Sequence, residues 1–489
     1  MSDADRSQAL SDADAPVLRW APWLTSRRAI FFVIGWLSLF ALVSVTISDP
    51  FRSEPSASAA PIFGNVMFLH GLLIGMVGLV ALLACQVMGL RSMHVRAWIV
   101  VGVLAATIFA GVGGMWDKNI PGYELPMWTQ IIGGFFALDE ILLTLLVGFA
   151  IEWRRRADAR TLPFVAAILA TTSMFIAAIM GHLAGWIMEF GWNTPALLAS
   201  YAKFAGFGAG SDFSGALTGS HSHEMAVASM AMIAILFSQQ FGYSDIKGPA
   251  RVASRFAMLM ISSGIVIMTG IYVVAGFNNW APPAWFVSGA NGVASDDVIT
   301  GVFVMGGGLV LGFSLLLGRF GNGASILRRP LALAALWSWI LSFATVVIAG
   351  YAIEMNTSYF GAGDPKAGGA KNDALFTWMH QDIGLFLLPS LVLIMLVVER
   401  LVHNTEQRNP IAWTMIVGTS VAFVGGMIWV FIDPALHGPG YLVTTLGLLL
   451  VGAALLGILW WGAIVNLPWP SRITALRLSR NLFHQYQHE

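Results

Sequence analysis

Apolar runs of about 18 or more residues without a charged side chain recur along this chain. A run of that length spans the hydrocarbon of a bilayer as a helix, because only a helix or a closed barrel satisfies every backbone group there. Twelve spanning helices are expected, near residues 29–48, 63–89, 97–116, 130–152, 163–189, 222–242, 254–276, 298–318, 331–354, 378–401, 411–432 and 441–465. Composition agrees. Of 489 residues 57% are hydrophobic and 11% charged, where soluble domains carry about 25% charged residues. The expected fold is an all-α integral membrane protein, with lipid as its first partner. Its transmembrane domain covers 26–470, between a cytoplasmic N-terminal tail, 1–25, and a basic cytoplasmic tail, 471–489. The N-terminal tail reads as disordered or lying at the interface near Trp20 and Trp23. It has no apolar core of the signal-peptide kind, so the first span is read as retained. Cys85 is the only cysteine, which excludes an intrachain disulfide framework and a thiolate metal cluster.

Orientation follows from the cationic residues. With the N-terminus in the cytoplasm, 21 of the 26 Lys and Arg residues fall on the inner side, leaving Arg52, Lys118, Lys203, Lys366 and Lys371 outside. This asymmetry places both termini in the cytoplasm and requires an even number of spans. A bacterial-type plasma (inner) membrane is the expected location. The Arg154-Arg155-Arg156 run reads as a topology anchor, and nothing supports nucleic-acid binding.

Against that apolar background the ionisable residues stand out, since each is expensive in lipid without a partner. Gly219-Ser220-His221-Ser222-His223-Glu224 opens the sixth apolar run, Phe68-Leu69-His70-Gly71 the second, and Trp378-Met379-His380-Gln381-Asp382 the tenth. His70, His223 and His380 are 153 and 157 residues apart, a spacing that predicts a threefold repeat of four-helix units near 29–189, 190–354 and 355–465. His182 lies near the outer end of the fifth helix, so five histidines share one depth toward the outer face. Small residues recur toward the outer ends of the second helix of each unit, where they let backbones approach.

In this pattern the chain resembles the haem–copper oxidase superfamily, subunit I of cytochrome oxidases and the large subunit of nitric oxide reductases. The resemblance implies twelve core helices in a pseudo-threefold arrangement. It also implies a low-spin haem b held by histidines early in helices 2 and 10, here His70 and His380. Helix 6 supplies a histidine to the family's copper site, and His221 or His223 stands at that level. The chain departs from the family in having no histidine between His223 and His380, and so no His-His pair after helix 7. Helix 10 carries one histidine where the family has two, and the family's tyrosine after the helix 6 histidine is missing. If enzymatic, the chain would be an oxidoreductase of the terminal oxidase or nitric oxide reductase type. The resemblance implies an electron donor such as cytochrome c, a cupredoxin or a quinol, with small accessory membrane subunits as further partners.

Read residue by residue, His70 and His380 are either axial haem ligands or interfacial imidazoles bonded to backbone and water. His221 and His223, two apart, point about 200° from one another on a regular helix. At a helix start, however, a His-x-His pair can chelate, and with His182 it would give the three imidazoles of an open metal site. Alternatively His223, which aligns with His70 and His380, faces inward to a second haem. A second haem or copper near helices 5 and 6 is thus one reading, and helix capping the other. Glu224, Asp382, Asp139 and Glu140 read as a proton or cation path, or as carboxylates favoured by the helix dipole. A proton-coupled transporter without cofactor is the competing function, although carriers more often use two inverted halves and midplane carboxylates.

Overall fold

The computed structural model describes residues 16–47, 66–112, 124–157, 160–190, 199–200, 203, 211–278, 300–319, 329–359, 378–401, 408–432 and 437–460, and for some of these, His70 and Asp382 among them, the backbone alone. Residues 16–25 fold where the sequence reading expects a disordered or interfacial tail. Strands β1 (Pro16–Leu18) and β2 (Ala21–Thr25) pair antiparallel. Val17, Ala21 and Leu24 bury against the helices, while Trp20 at the turn stays 78% exposed. The apolar side chains of these three residues make that packing.

Among the described residues twelve longer helical segments follow: α1 (Ser26–Ile47), α2 (Val66–Val87) and α3 (Met93–Ala106, continued by a π-helical stretch Thr107–Val112). Next are α4 (Glu124–Arg155), α5 (Leu162–Phe190), α6 (Ser211–Gln240) and α7 (Gly248–Asn278). α8 is Gly306–Arg319, led in by the π-helical stretch Thr300–Met305, and α9 is Pro330–Tyr359. α10 is Leu388–Leu401, led in by the π-helical stretch Trp378–Leu387. α11 (Arg408–Phe431) and α12 (Pro439–Gly457) complete the series. Among the described residues seven helices, α4, α5, α7, α9, α10, α11 and α12, are long and apolar enough to cross a membrane, and shorter apolar stretches lie in α2, α3 and α8. The chain is an all-α membrane protein.

Three helices form the centre. α2, α6 and α10 touch one another, and each is buried on nearly every face. Met225–Phe237 of α6 is buried throughout, as is Leu388–Glu399 of α10. A helix that is apolar all round has no solvent or lipid face to present, so it belongs inside. Around these three runs a ring in the order α1, α3, α4, α5, α7, α8, α9, α11 and α12, with α12 packed back against α1. The ring carries the exposed apolar side chains, among them Phe136 on α4, Val252 and Phe256 on α7, and Leu442 and Leu446 on α12. Those are the side chains that lipid solvates.

Two devices hold the ring and centre together. α11 and α12 meet backbone to backbone: Gly418 lies against Val451, Gly425 against Thr444, Gly447 against Ala422 and Gly440 against Trp429, places where a side chain would collide with the facing chain. Polar clamps close the opposite end of the bundle from His221 and His380. Arg329 pairs with buried Glu399 at 3.0 Å and lies 4.9 Å over the Phe241 ring. Gln240 donates to the Leu396 carbonyl at 2.9 Å, and Glu152 accepts from the Arg91 amide at 2.9 Å.

Candidate functional site

His380 sits in the π-helical start of α10, and α9 dictates its position. The looser π winding displaces backbone carbonyls from the regular ladder, a feature often found at functional sites. One of them, that of Gly384, is taken up by the Ser342 hydroxyl at 2.7 Å. Gly384 itself has no side chain to hold α10 away from the Val346 backbone. That close approach lets His380 donate from Nδ1 to the Val346 carbonyl at 2.9 Å. A carbonyl can only accept, so the proton is on Nδ1 and the neutral ring presents Nε2 as its acceptor. The ring then rests over Gly350, one helical turn along α9, where an added methyl would stand 2.9 Å from Cε1 and 3.0 Å from Nδ1.

The α5–α6 pair repeats this arrangement. His221 donates from Nδ1 to the Ala177 carbonyl at 2.7 Å, and its ring rests over Gly181, with an added methyl 2.5 Å from Nδ1. In both pairs the accepting carbonyl and the glycine are four residues apart on the preceding helix. His223 has a different setting. Its Nδ1 donates to the Gly219 carbonyl of its own helix at 3.0 Å, and its ring stacks on Tyr272 of α7 with centroids 6.0 Å apart. The helix explains the divergence. α6 begins at Ser211 rather than near 222, so His221 and His223 lie within regular helix and point to different neighbours. These two residues therefore lie inside the helix and not at its start. By environment it is His221, not the expected His223, that shares the setting of His380.

His182 is engaged elsewhere: its Nδ1 lies 3.0 Å from Oδ2 of Asp139 on α4, under the Phe135 ring at 5.1 Å. Among the described residues no group of three or more His, Cys, Asp or Glu side chains is placed to hold a metal ion. His70 lies in the first turn or two of α2, and its side chain, like that of Asp382, lies outside the described residues.

The carboxylates separate into three environments. Glu224 is fully buried; its Oε1 accepts from the Ser173 hydroxyl at 2.8 Å, which in turn accepts from the Thr269 hydroxyl at 2.8 Å. The network joins α5, α6 and α7, and Oε2 of Glu224 has no hydrogen-bond partner among the described residues. Glu140 accepts from Thr144 at 2.9 Å through Oε1, while Oε2 presses against the α3 backbone at Gly102. Asp139 is committed to His182. Asp139 and Glu140 thus face different helices and do not form one acidic pair.

Sequence reasoning misses Ser173, Thr269 and Tyr272, whose hydroxyl-bearing side chains sit on helix faces that carry no charge to mark them. It also passes over Gly350. A glycine four residues after the level of a facing histidine is the signal that would have found it. No protein-family model, no curated protein and no solved structure matches the chain.

Proposed function

We propose that this chain is a haem-binding membrane oxidoreductase or electron-transfer protein with twelve transmembrane helices in a pseudo-threefold arrangement. In this reading α2, α6 and α10 are the corresponding inner helices of the three units, a low-spin haem b lies between α2 and α10 on His70 and His380, and a second haem or metal lies near α5 and α6. Both termini are cytoplasmic, by the distribution of Lys and Arg. The observation that carries the reading is the setting of His380. An imidazole that ligates a metal through Nε2 almost always donates its Nδ1–H to a carboxylate, a backbone carbonyl or water, which fixes ring and tautomer, and here the Val346 carbonyl takes that place. Ser342 and Gly384 keep the π-helical backbone where His380 requires it. When bound, haem supplies one-electron chemistry at a potential set by its axial ligands and surroundings. The buried shell of α6 and α10 keeps water from such a group.

The test is a reduced-minus-oxidised visible spectrum of the purified protein with metal analysis. A haem b signal is expected, and His380→Ala and His70→Ala each remove it. A haem signal that survives both substitutions rules out this pair as its ligands.

A second reading, a proton-coupled transporter without cofactor, is favoured by the Glu224–Ser173–Thr269 network and the Asp139–His182 pair, which link helices through exchangeable protons. A colourless, metal-free preparation selects it over the first.

A further inference from the structure

The two histidine settings described above are the same object built twice. A helix offers a carbonyl and, four residues later, a glycine; the next helix of the chain lays an imidazole across both. Val346 and Gly350 do this for His380, and Ala177 and Gly181 do it for His221. Residues four apart on a helix lie on one face, one above the other. The carbonyl therefore fixes the Nδ1 edge of the ring, and the bare glycine backbone fixes how closely the ring plane can lie against the helix. Neither constraint alone does both. A hydrogen bond permits rotation about its axis, and a flat surface permits sliding.

We infer that Gly350 and Gly181 are positioning residues, which set the ring planes of His380 and His221 for axial ligation of haem iron, so that His221 is the α6 counterpart of His380. The inference rests on the haem reading above and goes beyond it. It assigns the α6 ligand to His221 over His223, makes the second cofactor a haem, and gives two glycines a role in tuning both cofactors. Its physical content is steric. Methyl groups at 2.9 Å from His380 Cε1 and 2.5 Å from His221 Nδ1 are closer than side-chain atoms tolerate. Each ring must tilt or slide, weakening its bond to the carbonyl and turning its plane about the metal–Nε2 direction. Loss of such an orienting contact typically lowers affinity for the bound group by roughly ten-fold or more.

The experiment uses the full-length protein in detergent. Haem per polypeptide, the reduced-minus-oxidised spectrum and the electron paramagnetic resonance of the oxidised state are recorded for wild type, Gly350→Ala, Gly181→Ala, His221→Gly and His223→Gly. Gly350→Ala and Gly181→Ala are expected to shift the low-field resonance, which reports ligand-plane orientation, or to lower haem retention. His221→Gly loses one of two haems and regains it with added imidazole. His223→Gly keeps both. Because free imidazole fills the place of a deleted ring, this arm still decides if a glycine variant fails to fold. The inference is overturned by a wild type with haem whose spectra do not change in the glycine variants. Copper loss with unchanged haem in His221→Gly, or haem loss in His223→Gly in place of His221→Gly, also overturns it. Wild type without haem sinks the haem reading and this inference together; wild type with haem and any of the contrary outcomes sinks this inference alone.

Discussion

At the scale of single residues, the chemistry lies in what each polar side chain was given as a partner. Glu224 is the most constrained, because a carboxyl taken fully out of water must be compensated on the spot. Replacing it with glutamine keeps an acceptor for Ser173; replacing it with leucine leaves the Ser173 hydroxyl to find another acceptor. An unsatisfied buried hydroxyl costs about 1–3 kcal/mol. Glu224→Leu is therefore expected to lower the thermal midpoint in detergent more than Glu224→Gln, and Ser173→Ala should remove most of the difference. Tyr243, in the short turn Tyr243–Asp245 between α6 and α7, gives a prediction in pH. Burial raises its phenol above the ordinary value of 10.0, against the opposing pull of Arg255 and Arg251. The unfolded phenol then loses its proton before the folded one, so stability contributed by this group is intact below pH 10 and falls as pH rises through the folded value. Tyr243→Phe should flatten the alkaline limb of a stability–pH profile and leave the neutral region unchanged.

At the scale of helices, packing is set by backbones that touch and by charges that have been taken inside in pairs. The α11–α12 seam depends on Gly425 and Gly447, which face Thr444 and Ala422 with no room for a side chain. Small residues are what allow helices to approach this closely in a membrane. Gly447→Leu should push the two helices apart and lower stability by about 1–3 kcal/mol, measured by thermal unfolding in detergent, while Leu446→Ala, on the exposed face, should do little. At the other end of the bundle, Arg329→Ala takes the 3.0 Å cationic partner from Glu399, whose side chain is 2% exposed. Breaking a fully buried pair by removing one member costs about 3–5 kcal/mol, and this pair, with Arg329 31% exposed, should cost less; the double variant Arg329→Met with Glu399→Leu should recover most of it.

The same helices show what could be read beforehand. That the described segments are helical is legible because apolar runs of spanning length have few alternatives, and the levels of His221 and His380 stand out because histidine is costly there. The long α6 is not legible at its beginning: Ser211-Asp212-Phe213-Ser214-Gly215 has the composition of a loop, and its helix forms as a continuation of the buried stretch. The expected start near 222 puts His221 and His223 at a helix end, and the helix that begins at Ser211 puts them inside it. The two glycine seats were invisible for a different reason. They join residues 40 and 30 positions apart through the packing of one helix on the next, and no local pattern encodes such a register.

At the scale of the whole molecule, a closed ring around three buried helices leaves Cys85 deep inside and 4% exposed. As the only thiol in the chain, it should resist a maleimide in the folded protein and react on unfolding, giving a direct count of unfolded molecules. Labelling of folded protein at the unfolded rate would contradict the packing of α2 at the centre.

Met225 through Phe237 separates Glu224 from Ser238 by thirteen buried residues of which Ser229 alone bears a hydroxyl, about 20 Å along the axis at 1.5 Å per residue. A stretch of that kind is an insulator. Any ion or proton traded at Glu224 is thereby wired to the water at one face of the bilayer, and a pH jump confined to the opposite compartment should leave it unmoved.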